Sequence, residues 1–235
     1  MGFVIDGKLR VFAYPNPGKV GRHTGHIPDR GCWPGVSFTA ADVAAITARV
    51  SLVSPEYYII GYDDLNQLIT RIVALLQSET WTTGTPPVIH HHPCLEVLEL
   101  SSHSRPAKCG GICEGNMGNF AGEIDSLVYC DELKIYLSGC NTGNVDDSFC
   151  IAQSLADLIP AARRQKQYRC TVYGTKGYQT GSNAGKDSNV TRDYTDAQGH
   201  VYPRYQHSED QKLPLKTQST ADDPTYRGFR GANSA

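Results

Sequence analysis

The stretch that most constrains the fold runs from Tyr57 to Gln77. Tyr57 to Gly61 (YYIIG) is a short apolar run rich in strand formers, and it ends in Asp63 and Asp64. The next residues change period: Leu65, Leu68, Ile69, Ile72, Val73, Leu75 and Leu76 recur at the three-and-four spacing of a helix with one buried stripe. Asp64 stands where a carboxylate would cap that helix. A strand feeding directly into an amphipathic helix is half of a βαβ unit, and the rest of the chain repeats the alternation.

Lys8 to Tyr14 alternates polar and apolar residues and reads as the first strand, before a Pro- and Gly-rich loop to Gly35 that holds His23 and His26. Ala40 to Val50 follows as a helix capped by Thr39 or Ser37. Thr80 to Pro93, with His90, His91 and His92, reads as a loop, and Leu95 to Leu100 as the next strand. The glycines between Arg105 and Asn119 also imply a loop. Lys134 to Leu137 is a strand, Asp146 to Ile159 a helix stopped by Pro160, and Tyr168 to Tyr173 a last strand. This interleaving predicts a three-layer α/β domain with a mostly parallel sheet flanked by helices. The domain spans 1–182, and 183–235 is a polar C-terminal tail, mobile unless it clings to the domain or a partner.

A formal net charge of −2 carries no footprint for nucleic acid, and no run approaches the roughly 20 apolar residues of a membrane span. The amino terminus lacks the layout of a signal peptide, so the expectation is a cytoplasmic protein or an exported effector without one. Eight cysteines in a chain of 235 residues are expected to be reduced thiols, with Cys109, Cys113, Cys130, Cys150 and Cys170 structural. Cys109 and Cys113 are also spaced as half a zinc site.

Two segments carry chemistry. In LKIYLSGCNTG, Leu133 to Gly143, a strand delivers Cys140 through Ser138 and Gly139 to a polar loop. In SSHS, Ser101 to Ser104, His103 stands just past an earlier strand. If the strands are neighbours, both side chains share the carboxyl edge of the sheet, where open α/β proteins gather their ligands. A thiol is nucleophilic near neutral pH, and an imidazole lowers its pKa or protonates a leaving amine. Backbone N–H groups near Ser104 and Cys140 would hold an oxyanion.

The order strand-His, strand-Ser-Gly-Cys, helix, strand-Tyr-Gly resembles the caspase-like cysteine peptidases of clan CD. The likeness is nearest to bacterial members such as the self-cleaving domain of RTX toxins and the CHAT-type peptidases. It extends over Tyr57 to Tyr173 in layout and over SSHS and LSGCNTG in letters. It implies that Cys140 is the nucleophile and His103 its partner, that Gly139 permits the turn, and that Tyr173 to Lys176 border the pocket for the residue before the cut. Ser104 stands where many members carry glycine. Asp146 or Asp147 would recognise a basic side chain, and Lys176 an acidic one. The resemblance implies a protein or peptide substrate and no cofactor, and it leaves any activating ligand open. Two rivals are a non-catalytic interaction module on the same fold and a zinc-stabilised binding protein built on Cys109 and Cys113.

Overall fold

The computed structural model describes residues 4–18, 25–28, 31–32, 38–53, 57–78, 80–83, 88–105, 107–139, 142–143, 149–159, 169–175, 178–179, 194–195, 201–202, 204–205 and 226–229. Its centre is a parallel sheet of β1 (Val4–Pro15), β2 (Tyr57–Tyr62), β4 (Val88–Ser101), β8 (Tyr129–Ser138) and β9 (Arg169–Thr175). Across the sheet the strands run β2-β1-β4-β8-β9, all pairs parallel. Two antiparallel strands complete it: β3 (Thr80–Thr83) on the first part of β4, and β14 (Tyr226–Phe229) on β9. The fold is the expected three-layer α/β arrangement.

Alternation along the strands sorts side chains into two cores. Leu9, Val11, Leu98, Leu100, Ile135, Leu137 and Val172 face α2 (Leu65–Gln77), α3 (Glu114–Ser126) and α4 (Ile151–Leu158) in one aliphatic cluster. Phe12, Tyr57, Val97, Tyr136 and Tyr173 line the opposite face, where Val50 of α1 (Ala40–Val53) packs on them. The register of β4 against both neighbours shifts between Leu95 and Val97. This irregularity puts Glu96 and Val97 on the same face and keeps Leu95 and Leu98 both in the larger core.

The Leu65 to Gln77 helix has the expected bounds, and Asp64 caps it by accepting from Gln67 N at 2.9 Å. Thr39 opens α1: its hydroxyl accepts from Asp42 N at 3.1 Å while Asp42 Oδ2 accepts from Thr39 N at 2.9 Å, and Ser37 lies outside the described residues. Elsewhere the boundaries move. β4 begins at Val88, so His90 to His92 lie within a strand held between β1 and β3. The glycine-rich stretch contains a small sheet, β5 (Ser104–Arg105), β6 (Lys108–Cys109) and β7 (Ile112–Cys113), and then α3. Met117, Phe120, Ala121 and Ile124 form the buried stripe of α3, whereas a Cβ at Gly118 or Gly122 would meet nothing within 4 Å. Glycine costs a helix about 1 kcal/mol apiece relative to alanine, and burial of that stripe outweighs it. Phe149 and Cys150 precede α4 rather than lying in it. Short pairs join β10 (Tyr178–Gln179) to β13 (Arg204–Tyr205) and β11 (Tyr194–Thr195) to β12 (Val201–Tyr202). The tail therefore rejoins the domain at β14, beyond the boundary at residue 182.

Cysteine chemistry departs from expectation. Cys32 is bonded to Cys113, and Cys94 to Cys130, so these four are not reduced thiols. The spacing of sequence neighbours concealed both bonds, because each joins elements that meet only in the folded sheet. Cys109 and Cys170 lie outside these bridges and are buried, and burial together with the nearby Glu132 and Asp125 carboxylates pushes the Cys170 thiol up to about 12.

Candidate active site

Between β1 and β4 the connection reverses direction: the chain moves from β1 to β2 on one side and returns to β4 on the other. At such a reversal the carboxyl ends of an α/β sheet open a crevice. His103 follows β4 at that edge and is exposed. Phe38, at the entry to α1, lies against it with ring centroids 5.0 Å apart and planes tilted by 54°. One turn into α1, the carboxyl of Asp42 is held below the usual range, first by the Thr39 hydroxyl and backbone and to a lesser extent by the charge of His103.

The segment carrying His103 is fixed from beneath. Ser102 Oγ accepts from Gly110 N at 2.7 Å, and the buried Tyr62 hydroxyl donates to Gly110 O at 2.9 Å. Gly110 and Gly111 turn the chain between β6 and β7 at positive φ, +57° and +88°. At the far end of this hairpin the disulfide to Cys32 joins a strap made by residues 25–28 and 31–32. The Asn66 amide holds Ile27 through both its N–H and its carbonyl, each at 3.0 Å, and buried Asn116 donates to Pro28 O at 3.1 Å.

Next to this segment lies the end of β8. Ser101 is in register with Ser138, and Ser102 N donates to Ser138 O at 3.2 Å. Gly139 follows, buried, and a Cβ there would stand 2.6 Å from Ser102 O and equally close to Ser104 Cβ. Its backbone is not left-handed, so glycine is required for space rather than for conformation. The SSHS and Ser-Gly segments thus abut at adjacent strand ends.

Cys140, Asp146 and Lys176 lie outside the described residues. Tyr173 is described, but its ring is buried in a 4.7 Å stack on Tyr136, so it belongs to the core. The zinc half-site does not form, because Cys113 is consumed in a disulfide and buried Cys109 Sγ faces Ser102 Oγ at 3.6 Å. Among the described residues no group of three or more His, Cys, Asp or Glu is arranged for a metal ion.

Two groups at this edge were not singled out from the sequence. Glu99 of β4 is fully buried; Oε1 accepts from Ser138 Oγ at 2.5 Å, and Oε2 has no hydrogen-bond partner among the described residues. Burial pushes its carboxyl up to about 8 against the opposing effect of Ser138. By contrast, Glu96, three residues earlier on β4, is desolvated too, yet Lys8 at 2.8 Å and Arg10 at 2.6 Å outweigh that and hold it low. The second group is a pair of buried threonines, Thr142 and Thr175, on either side of the loop that follows Gly139. Glu99 was readable as an acidic residue in an apolar strand; the threonines left no sequence signal.

This architecture and its strand-end site define a three-layer α/β protein with a candidate site at the carboxyl edge. No family model, curated protein or solved structure matches the chain. No described helix is long and apolar enough to cross a membrane.

Proposed function

We propose that the protein is a caspase-like cysteine endopeptidase that cleaves a protein substrate or itself through Cys140 and His103. The observation that carries the reading is the apposition of SSHS and Ser-Gly at adjacent parallel strand ends, with Gly139 pressed against Ser102 and Ser104. The residue after Gly139 and the residue between those two serines are the thiol and the imidazole.

In this reading the Cys140 thiol passes its proton to His103 and its sulfur attacks the scissile carbonyl carbon. Backbone N–H groups beside the thiol and at Ser104 receive the oxyanion. As the C–N bond breaks, His103 delivers that proton to the departing amine. Water then loses a proton to His103 and attacks the thioester, the S–C bond breaks, and the sulfur is reprotonated. Every step uses groups of this chain and water. The Cys32–Cys113 and Cys94–Cys130 bridges favour the exported effector over a cytoplasmic protein, since cytosolic thiols are kept reduced.

Cys140→Ala is expected to leave the fold intact and abolish cleavage of a reporter protein and of the chain, and His103→Ala to lower it at least about a hundredfold. Unchanged cleavage by Cys140→Ala discards the assignment and leaves the interaction module.

A further inference from the structure

The two residues between Gly139 and Thr142 are bracketed by a network that peptide chemistry alone does not require. Thr142 and Thr175 are both fully buried. Thr142 Oγ1 donates to Leu137 O at 2.6 Å and accepts from Thr175 N at 2.9 Å. The Thr175 hydroxyl donates to Gly139 O. Each hydroxyl has one hydrogen, and both are committed to carbonyls of the β8 end, so the 3.2 Å approach of the two oxygens is a consequence of the arrangement, not a further bond. Gly143 N donates to Thr175 O at 2.8 Å, and Ala152 N, in the first turn of α4, donates to Thr142 O at 3.1 Å. Gly143 and Gly174 touch so closely that a Cβ on either would meet the other's backbone. The chain is therefore anchored on each side of Cys140, to the end of β9.

We infer that Thr142 and Thr175 are positioning residues for Cys140, a pair of hydroxyls that hold the nucleophile loop against β9. The consequence for cleavage rests on the peptidase reading; the consequence for the thiol does not. The anchors fix Gly139 on one side and Thr142 and Gly143 on the other, so they bound where a thiol between them is presented. On the β9 side the anchor is Thr175, which falls in the segment expected to border the substrate pocket. The Thr175 hydroxyl supplies a donor to Gly139 O beyond the end of β8, and the Thr142 hydroxyl joins Gly139 N, 3.1 Å away, on Leu137 O.

The test uses the full chain with Thr175→Val, Thr142→Val and Thr175→Ser. Three quantities are read: kcat and KM on a reporter protein, the thermal midpoint, and the rate of iodoacetamide alkylation at Cys140 by peptide mapping across pH. Thr175→Val is expected to lower kcat about 10- to 100-fold with KM within about twofold, the range that a misplacement near 1 Å produces. Alkylation of Cys140 should change in rate at neutral pH, because the thiol is presented differently. Thr142→Val should do the same, and Thr175→Ser should stay within about threefold of the parent. A folded Thr175→Val with parental kcat and alkylation profile overturns the proposal. So does a Thr175→Ser as impaired as the valine variant, which remains decisive if both valine variants fail to fold. If Cys140→Ala still cleaves while the valine variants alter Cys140 alkylation, the peptidase reading falls and the clamp stands.

Discussion

The two flanks of the candidate site are held by opposite means. On the His103 side the ring is exposed and touched by Phe38, and its segment is secured at a distance by Tyr62, Gly110, a disulfide and a strap. On the Cys140 side the neighbouring backbone is buried and secured at contact by Gly139 packing, Ser138 to Glu99, and the two threonine hydroxyls. Under the proposed peptidase reading, a proton carrier that must reach water and substrate has its support moved away from it, and a nucleophile that must meet one carbon at one angle has its support brought close.

The largest effect expected from breaking this contrast is on the covalent side. Replacing Cys32 and Cys113 together by serine removes a bond that closes a loop of 81 residues and should cost about 2–4 kcal/mol of unfolding free energy, measured by urea titration without reductant. Stability equal to the parent would show that the strap holds without the bond. Gly139→Ala comes next: its methyl collides with Ser102 O, and overpacking of this kind costs about 1–3 kcal/mol. Reporter cleavage should fall with it, and an unchanged cleavage rate at parental stability would refute the close apposition of the two strand ends.

A pH scan probes Glu99. Its folded carboxyl, near 8, lies above its ordinary 4.5, so the folded state keeps a proton that the unfolded state releases. Stability should therefore fall as pH rises from about 4.5 to about 8 and level off beyond, and Glu99→Gln should flatten that slope. A parental profile in the glutamine variant would mean that the slope has another source. The smallest effect belongs to the exposed flank. Phe38→Ala should change stability by less than about 1 kcal/mol but lower cleavage about fivefold, because it loosens the imidazole and little else. If stability drops as much as in Gly139→Ala, the two flanks are not held differently after all.

Much of the frame was readable from periodicity. The Leu65 to Gln77 stripe with Asp64 before it, and the apolar runs at 57–61, 95–100 and 134–137, are local signals that the folded chain keeps, the last two inside strands that begin earlier, at Val88 and Tyr129. The third helix was hidden because its glycines sit on the solvent side, where they cost propensity without disturbing packing. His90 to His92 read as loop because local composition says nothing of the two strands that flank them. At the site, the SSHS and SGC segments were visible as strand ends, and Glu99 stood out as an acidic residue in an apolar strand, whereas Thr142 and Thr175 were not distinguishable from any other threonine.

The sequence by itself determined the alternation of strands and helices, and with it the three layers and the candidate dyad, since a strand end in α/β proteins has one favoured use. Tertiary structure alone decided that Ser101 faces Ser138, that Cys32 meets Cys113, that residues 226–229 return as an edge strand, and that two threonine hydroxyls close on the carbonyls of Leu137 and Gly139. Period is a property of neighbours along the chain, and a pattern of hydrophobic residues records it. Register, disulfide pairing and the filling of buried acceptors are properties of residues brought together by folding, which no local pattern records.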